Sequence, residues 1–231
     1  VDPGKQAAPK QAPPPVIQPK TQPGSPKQTA AAALSMLESG RVDEAAQLFS
    51  AANFSQEKQS AEVREAFIET RLARILDRAR RRRCPEALAG IETIGDEDQN
   101  LPFTMYGFGG ILKSVRIEYE LGSAEAACDD EKAARKRWSR IAKHAERAPS
   151  IETTYALLAA RKLGEADDAE LRAALERARK ASGAEMAYAA GLLERALGQK
   201  QEAANSFRGA VERAGDNIML RHLARMAIAE R

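Results

Sequence analysis

Cysteine, histidine and aromatic residues are scarce in this chain, and each scarcity closes off a class of function. Cys84 and Cys128 are its only cysteines, so neither a disulfide framework nor a four-cysteine zinc site is possible. Both fall near inter-helix turns of adjacent units. An oxidising compartment would allow them to pair, but neighbouring turns ordinarily stand farther apart than a disulfide reaches. His144 and His222 are the only histidines, each alone among helical positions, and neither has the neighbours of a triad or a metal pair. With no cluster of catalytic groups, the chain reads as a non-enzyme without cofactor or metal. No apolar run approaches bilayer length, and β-branched runs are almost missing. Aromatics make up 5% of the residues, and Ala dominates the 43% that are apolar. Such a core packs by close helix approach, which gives an all-α class.

Net charge is +3. Residues 1–29 carry Lys5, Lys10, Lys20 and Lys27 against Asp2, which leaves 32 basic and 32 acidic residues in the neutral remainder. A neutral body argues against a nucleic-acid binder, which needs a concentrated positive field. Residues 1–27 hold eight of the eleven prolines and read as an extended Pro/Gln/Lys-rich linker. Tracts of this composition often tether domains in bacterial envelope proteins, so the expected location is the envelope or periplasm, with the cytoplasm as the alternative. Val1 begins the chain with no signal-peptide pattern.

One spacing occurs twice. Gly198, Glu202, Ala203, Phe207 and Ala210 repeat the intervals of Gly40, Glu44, Ala45, Phe49 and Ala52, which implies a repeated unit. A helical hairpin explains it. Gly ends the first helix, because it adopts the left-handed conformation without a side-chain clash. Ala then allows the second helix to cross closely, and Phe and Ala share one face of that helix. The pattern resembles the tetratricopeptide repeat, a helix-turn-helix of thirty-four residues. Gly191, Gly198, Ala203, Phe207 and Ala210 match its small, turn, small, aromatic and small positions. Ala187 and Glu194 stand where the family often has Trp and Tyr, and Gly215 where Pro is usual. Gly164 lies thirty-four residues before Gly198. The expected fold is a right-handed superhelix of about five hairpins over 28–231. Its units are 28–54, 56–95, 103–147, 151–181 and 183–214, and a capping helix covers 216–231.

In order, Gly40 divides the first hairpin. Ser55 is expected to cap a long helix to about Arg83, and Pro85 to open the next. A loop follows at 95–102, then a helix from Phe103 to Leu121 ending at Gly122. A charged helix runs from Asp130 to Arg147, where Ala134, Trp138 and Ile141 repeat the small-aromatic-apolar spacing. Asp216 is expected to cap the last helix. The basic run Arg78 and Arg80 to Arg83 complements a helix C-terminus, and the run from Arg135 to Arg147 reads as a solvated face with Trp138 inward. Asp96, Asp98 and Asn100 imitate the start of a calcium loop, but Leu101 and Gly107 replace its Gly and bidentate Glu. Gly107 to Gly110 lacks the Lys-Ser/Thr of a phosphate loop and reads as close packing at a helix start.

These features point to a non-catalytic scaffold that binds a protein or peptide in its concave groove. The residues expected to line that groove are Thr154, Leu158, Arg161, Glu185, Tyr188, Leu192 and Arg195, with Tyr188 and Leu192 receiving a helix or extended segment. The alternatives are an assembly module of an envelope complex, docking by its outer face, and an accessory domain of an enzyme whose catalytic part lies upstream.

Overall fold

The computed structural model describes residues 25–51, 61–96, 108–145 and 148–229. The expected linker up to Gly24, the Ser55 cap, the centre of the 95–102 loop and the helix start at Phe103 lie outside the described residues.

Twelve helices and no strand occupy the described residues. They are α1 Pro26–Glu38, α2 Val42–Ala51, α3 Ala61–Arg80, α4 Cys84–Thr93, α5 Gly109–Leu112, α6 Val115–Ala127, α7 Glu131–Ala142, α8 Ile151–Leu163, α9 Asp168–Lys180, α10 Ala184–Ala196, α11 Lys200–Arg213 and α12 Ile218–Ala229. Their boundaries follow local chemistry. Ser25, Ser150 and Asp167 form reciprocal capping boxes with Gln28, Thr153 and Glu170, each satisfying backbone N–H groups that a helix start leaves open. The expected turn residues Gly164 and Gly198 both have positive φ, +81° and +78°, the conformation a helix C-terminus needs.

The helices form two layers. In the inner layer α1, α3, α6, α8, α10 and α12 each pack on the next. In the outer layer α2 lies across α1 and α3, α4 across α3 and α6, α7 across α6 and α8, and α11 across α10 and α12, while α9 rests on α10. A sixteen-residue register joins the layers. Ala33 with Phe49, Gly122 with Trp138, Ala159 with Leu175, and Gly191 with Phe207 each set a small inner residue sixteen positions before a large outer one, and all eight are buried. A Cβ at Gly191 would stand 2.6 Å from the Phe207 ring, and one at Gly122 2.7 Å from the Trp138 indole. The second hairpin reverses the sizes: a Cβ at outer Gly90 would stand 2.8 Å from inner Ile75. Hairpin-level packing is therefore what the repeat spacing requires.

Four local expectations change. Gly122 does not end a helix. Ser114 caps a fresh helix that runs through Gly122 to Ala127, because the glycine is needed for approach to Trp138 and not for a turn. Asn217, not Asp216, caps α12, its Oδ1 accepting from Leu220 N at 2.9 Å. Gly109 and Gly110 face open space, so close packing does not explain them. Finally, Cys84 and Cys128 form a disulfide with Cα atoms 5.3 Å apart. The two sulfurs meet because α4 begins where α6 ends. Arg82 and Asp129, both with positive φ, flank the junction, and Arg82 donates to Ala127 O at 2.7 Å.

The largest departure concerns the two ends. A capping helix at 216–231 is expected to cover the last hairpin alone. Besides α11, α12 packs on α1 and α3, so the inner layer closes into a ring. Ile218, Met219 and Met226 press on the apolar cluster of the first hairpins, while Leu220, Ala224 and Ala227 belong to the cluster of the last ones. Stacked hairpins remain the architecture, but the concave side is filled by the chain's own C-terminal helix.

Candidate functional site

Closure puts several of the expected groove residues inside the protein. Tyr188 is 3% exposed, and its hydroxyl shares a 2.9 Å hydrogen bond with that of Tyr155. Thr154 and Leu158 are also buried, and Thr154 Oγ1 donates to Ser150 O at 2.9 Å. Leu192 is 9% exposed and faces α12 across a small internal cavity. Arg161 pairs with Asp168 at 2.6 Å at the foot of its hairpin. Only Glu185 and Arg195 reach large open recesses. The open groove expected at Tyr188 and Leu192 is thus occupied, because α12 offers Leu223, Met226 and Ala227 to the same space.

At the closure lies a polar network that the sequence did not reveal. Arg116 of α6 pairs with Glu69 of α3 at 2.5 Å, and both side chains are largely shielded from water. Burial alone would push the Glu69 carboxyl up, but Arg116 and His222 outweigh it and hold the group below the usual carboxylate range. His222 of α12 is 1% exposed. Its Nδ1 stands 3.3 Å from Glu38 Oε1 and its Nε2 3.9 Å from Glu69 Oε1, while Arg225 pairs with Glu38 at 3.0 Å. Carboxylates of the first two inner helices thereby grip the last. Burial pushes the Tyr188 hydroxyl up to about 12 and raises that of Tyr155 as well, so both are neutral donors at physiological pH. The carboxylates and guanidinium groups of this cluster are paired across helices and hold them, while His222 Nε2 is buried without a hydrogen-bond partner. It contains no nucleophile beside a base.

The basic runs are also employed internally. Arg81 pairs with Asp77 and Arg83 with Glu86. Arg137 is not part of a solvated face: it bridges Glu118 at 3.0 Å and Glu125 at 2.7 Å and locks α7 to α6, with Trp138 inward as expected. Among the described residues no three His, Cys, Asp or Glu side chains are grouped to hold a metal ion, and no helix is long and apolar enough to cross a membrane.

Two large recesses lie among the described residues. A cavity of about 540 Å³ lies where inner helices begin, lined by Glu65, Ser114, Arg116, Glu152, Glu185 and Asn217 among apolar neighbours. Glu152 Oε2 accepts from Val115 N at 2.6 Å, so its charge is spent on capping α6. Desolvation raises the Glu65 carboxyl despite the opposing pull of Arg116. The larger recess, about 840 Å³, is a groove between α11 and the end of α12. Ala203, Ala204, Phe207, Ala227 and Ile228 floor it, while Arg195, Lys200 and Arg208 supply its charge. Lys200, Ala204 and Arg208 follow at intervals of four and share one face of α11. Arg195 is held over the Phe207 ring at 4.8 Å and donates to Ala227 O, so this cation is built into the groove wall. Among the described residues no acidic group lines this groove.

The chain matches no protein-family model and no curated protein. Among solved structures it is similar to a thermophilic TPR protein of Thermus thermophilus, with 18% identity and a TM-score of 0.41, over 89% of this chain and 100% of that one.

Proposed function

We propose that the chain is a non-catalytic protein-interaction scaffold that takes a segment of a partner protein in the groove between α11 and α12. The observation carrying this reading is the groove itself, the largest of the recesses described. It joins a small-residue floor to three cationic side chains. Of the expected partner-facing residues, Arg195 belongs to this groove and Glu185 to the other recess, while Thr154, Leu158, Tyr188 and Leu192 are buried. Stacked hairpins suit the role, since neighbouring units bury a shared core and leave extended surfaces for recognition.

The Cys84–Cys128 bond favours an oxidising compartment, and with the Pro-rich tract it supports a place in the cell envelope. A photo-crosslinking residue at position 204 of the full chain tests the site. It is expected to capture one protein reproducibly from source cells, whereas the same residue at exposed Glu176 on α9 captures none. Capture from position 176 alone would transfer the function to the outer face and overturn this reading.

A further inference from the structure

Inside the layer of inner helices, buried donors outnumber the acceptors that answer them. Tyr155 of α8 and Tyr188 of α10 are both buried. Among the described residues each hydroxyl has one hydrogen bond, the 2.9 Å bond that they share. That bond uses one of their two protons, so one buried O–H is left without an acceptor among the described residues. Arg116 of α6 is in a similar position. A guanidinium has five N–H donors, and Glu69 takes two of them, at 3.4 and 2.5 Å. Leaving a buried donor unanswered is costly. Both tyrosines and Arg116 line the internal cavity beside Leu192, and Arg80 and Arg195 belong to the same lining.

We propose that this cavity is a binding site for a carboxylate group, held by the spare tyrosine O–H and by Arg116. The site is separate from the groove of the scaffold reading and stands or falls without it. Donor chemistry comes first. A water molecule would answer these donors but brings two hydrogens that need acceptors in turn, whereas a carboxylate only accepts. Burial raises both tyrosines above their ordinary range, so the O–H is present at physiological pH. Size comes second. The cavity holds about 90 Å³, the share of roughly three waters, which admits a carboxylate with a short carbon stem against Leu223 and Met226. Charge comes third. Glu69 and Glu120 also belong to the lining and oppose a second negative charge, so a monoanion is favoured over a phosphate dianion. Such a group comes either from a free short-chain acid or from an Asp or Glu side chain of a partner.

The test titrates the full, oxidised chain with sodium acetate, against sodium chloride at equal ionic strength, and with a blocked Gly-Glu-Gly peptide against Gly-Gln-Gly. NMR signals of the tyrosine rings read binding. Saturable shifts at Tyr155 and Tyr188 are expected with acetate or the Glu peptide, and not with chloride or the Gln peptide. Acetate alone assigns the site to a free acid, and the Glu peptide alone assigns it to a side chain. Tyr155→Phe with Tyr188→Phe keeps both rings and removes both hydroxyls, so binding should weaken about tenfold or more, with a thermal melt to check the fold. Arg80→Gln, at an exposed position of the lining, should weaken it about twofold to threefold. Equal shifts in chloride, no saturable shift with either carboxylate, or binding that neither variant weakens would each overturn the proposal.

Discussion

Replacing Gly191 by Ala tests the packing rule on which the hairpins depend. In an ordinary helix interior this change stabilises by about 1 kcal/mol, since Ala restricts the unfolded chain and favours the helix. At Gly191 the new methyl would lie 2.6, 2.7 and 2.9 Å from three atoms of the Phe207 ring, well inside ordinary contact. The ring is 1% exposed and packs against Tyr188, centroids 5.6 Å apart, with Arg195 on it. Tyr188 and Arg195 hold it in place, so either α10 and α11 separate or the ring displaces Arg195 toward the groove. Overpacking of this kind costs about 1–3 kcal/mol. Set against the helix gain, the expected net loss is about 0–2 kcal/mol. Gly209 is the control, because a Cβ there meets nothing closer than Arg213 at 3.7 Å, and Gly209→Ala should stabilise by about 0.5–1 kcal/mol. Urea denaturation followed by circular dichroism reads both. A cycle with Phe207→Leu, which removes the clash, should show a coupling of at least about 1 kcal/mol between positions 191 and 207. If Gly191→Ala stabilises as Gly209→Ala does, close approach is not why glycine stands there.

Three further outcomes are expected. Removing the disulfide, as Cys84→Ser with Cys128→Ser, should lower stability by about 3–4 kcal/mol for a loop of this length, with Cys84 and Cys128 becoming alkylatable only after reduction of the native chain; alkylation without reductant would refute the bond. Arg116→Met leaves the Glu69 carboxylate buried without its partner and should cost about 3–5 kcal/mol, largely recovered in Glu69→Leu with Arg116→Met, as chemical denaturation would measure. Alkaline titration reports on the tyrosines. Their folded pKa values lie above the ordinary tyrosine value of 10.0, about 12 for Tyr188, so their contribution is intact below pH 10 and declines as pH rises from 10 through 12. Tyr188→Phe should flatten that decline in a pH series of thermal melts, and an unchanged slope would show that these hydroxyls do not titrate with unfolding.

Hairpin structure was legible because it is local. The intervals around Gly198 and Gly40 record contacts made within one unit, and the structure places Phe49, Ala203, Phe207 and Ala210 inside as those intervals require. The sixteen-residue spacing of Gly122 and Trp138 was also available in the sequence and would have corrected the helix end assigned to Gly122. Closure was not legible. Glu38, Glu69, Arg116 and His222 are single polar residues on separate helices, and no short-range pattern distinguishes them from surface positions. For the same reason helical periodicity offered seven groove residues without showing that Tyr188 and Leu192 share their space with α12. Cys84 and Cys128 were placed at turns, but how closely α4 and α6 approach depends on tertiary geometry that spacing does not encode.

Joining α12 to α1 changes how this protein must come apart and assemble. An open array can fray from either end, one hairpin at a time. Here Glu38 bonds His222 and Arg225 across 184 and 187 residues, so neither α1 nor α12 is a loose edge and opening one costs contacts at both. Contacts of such long range slow the search for the native state, and on the ribosome the first hairpin stays without this neighbour until α12 has been made.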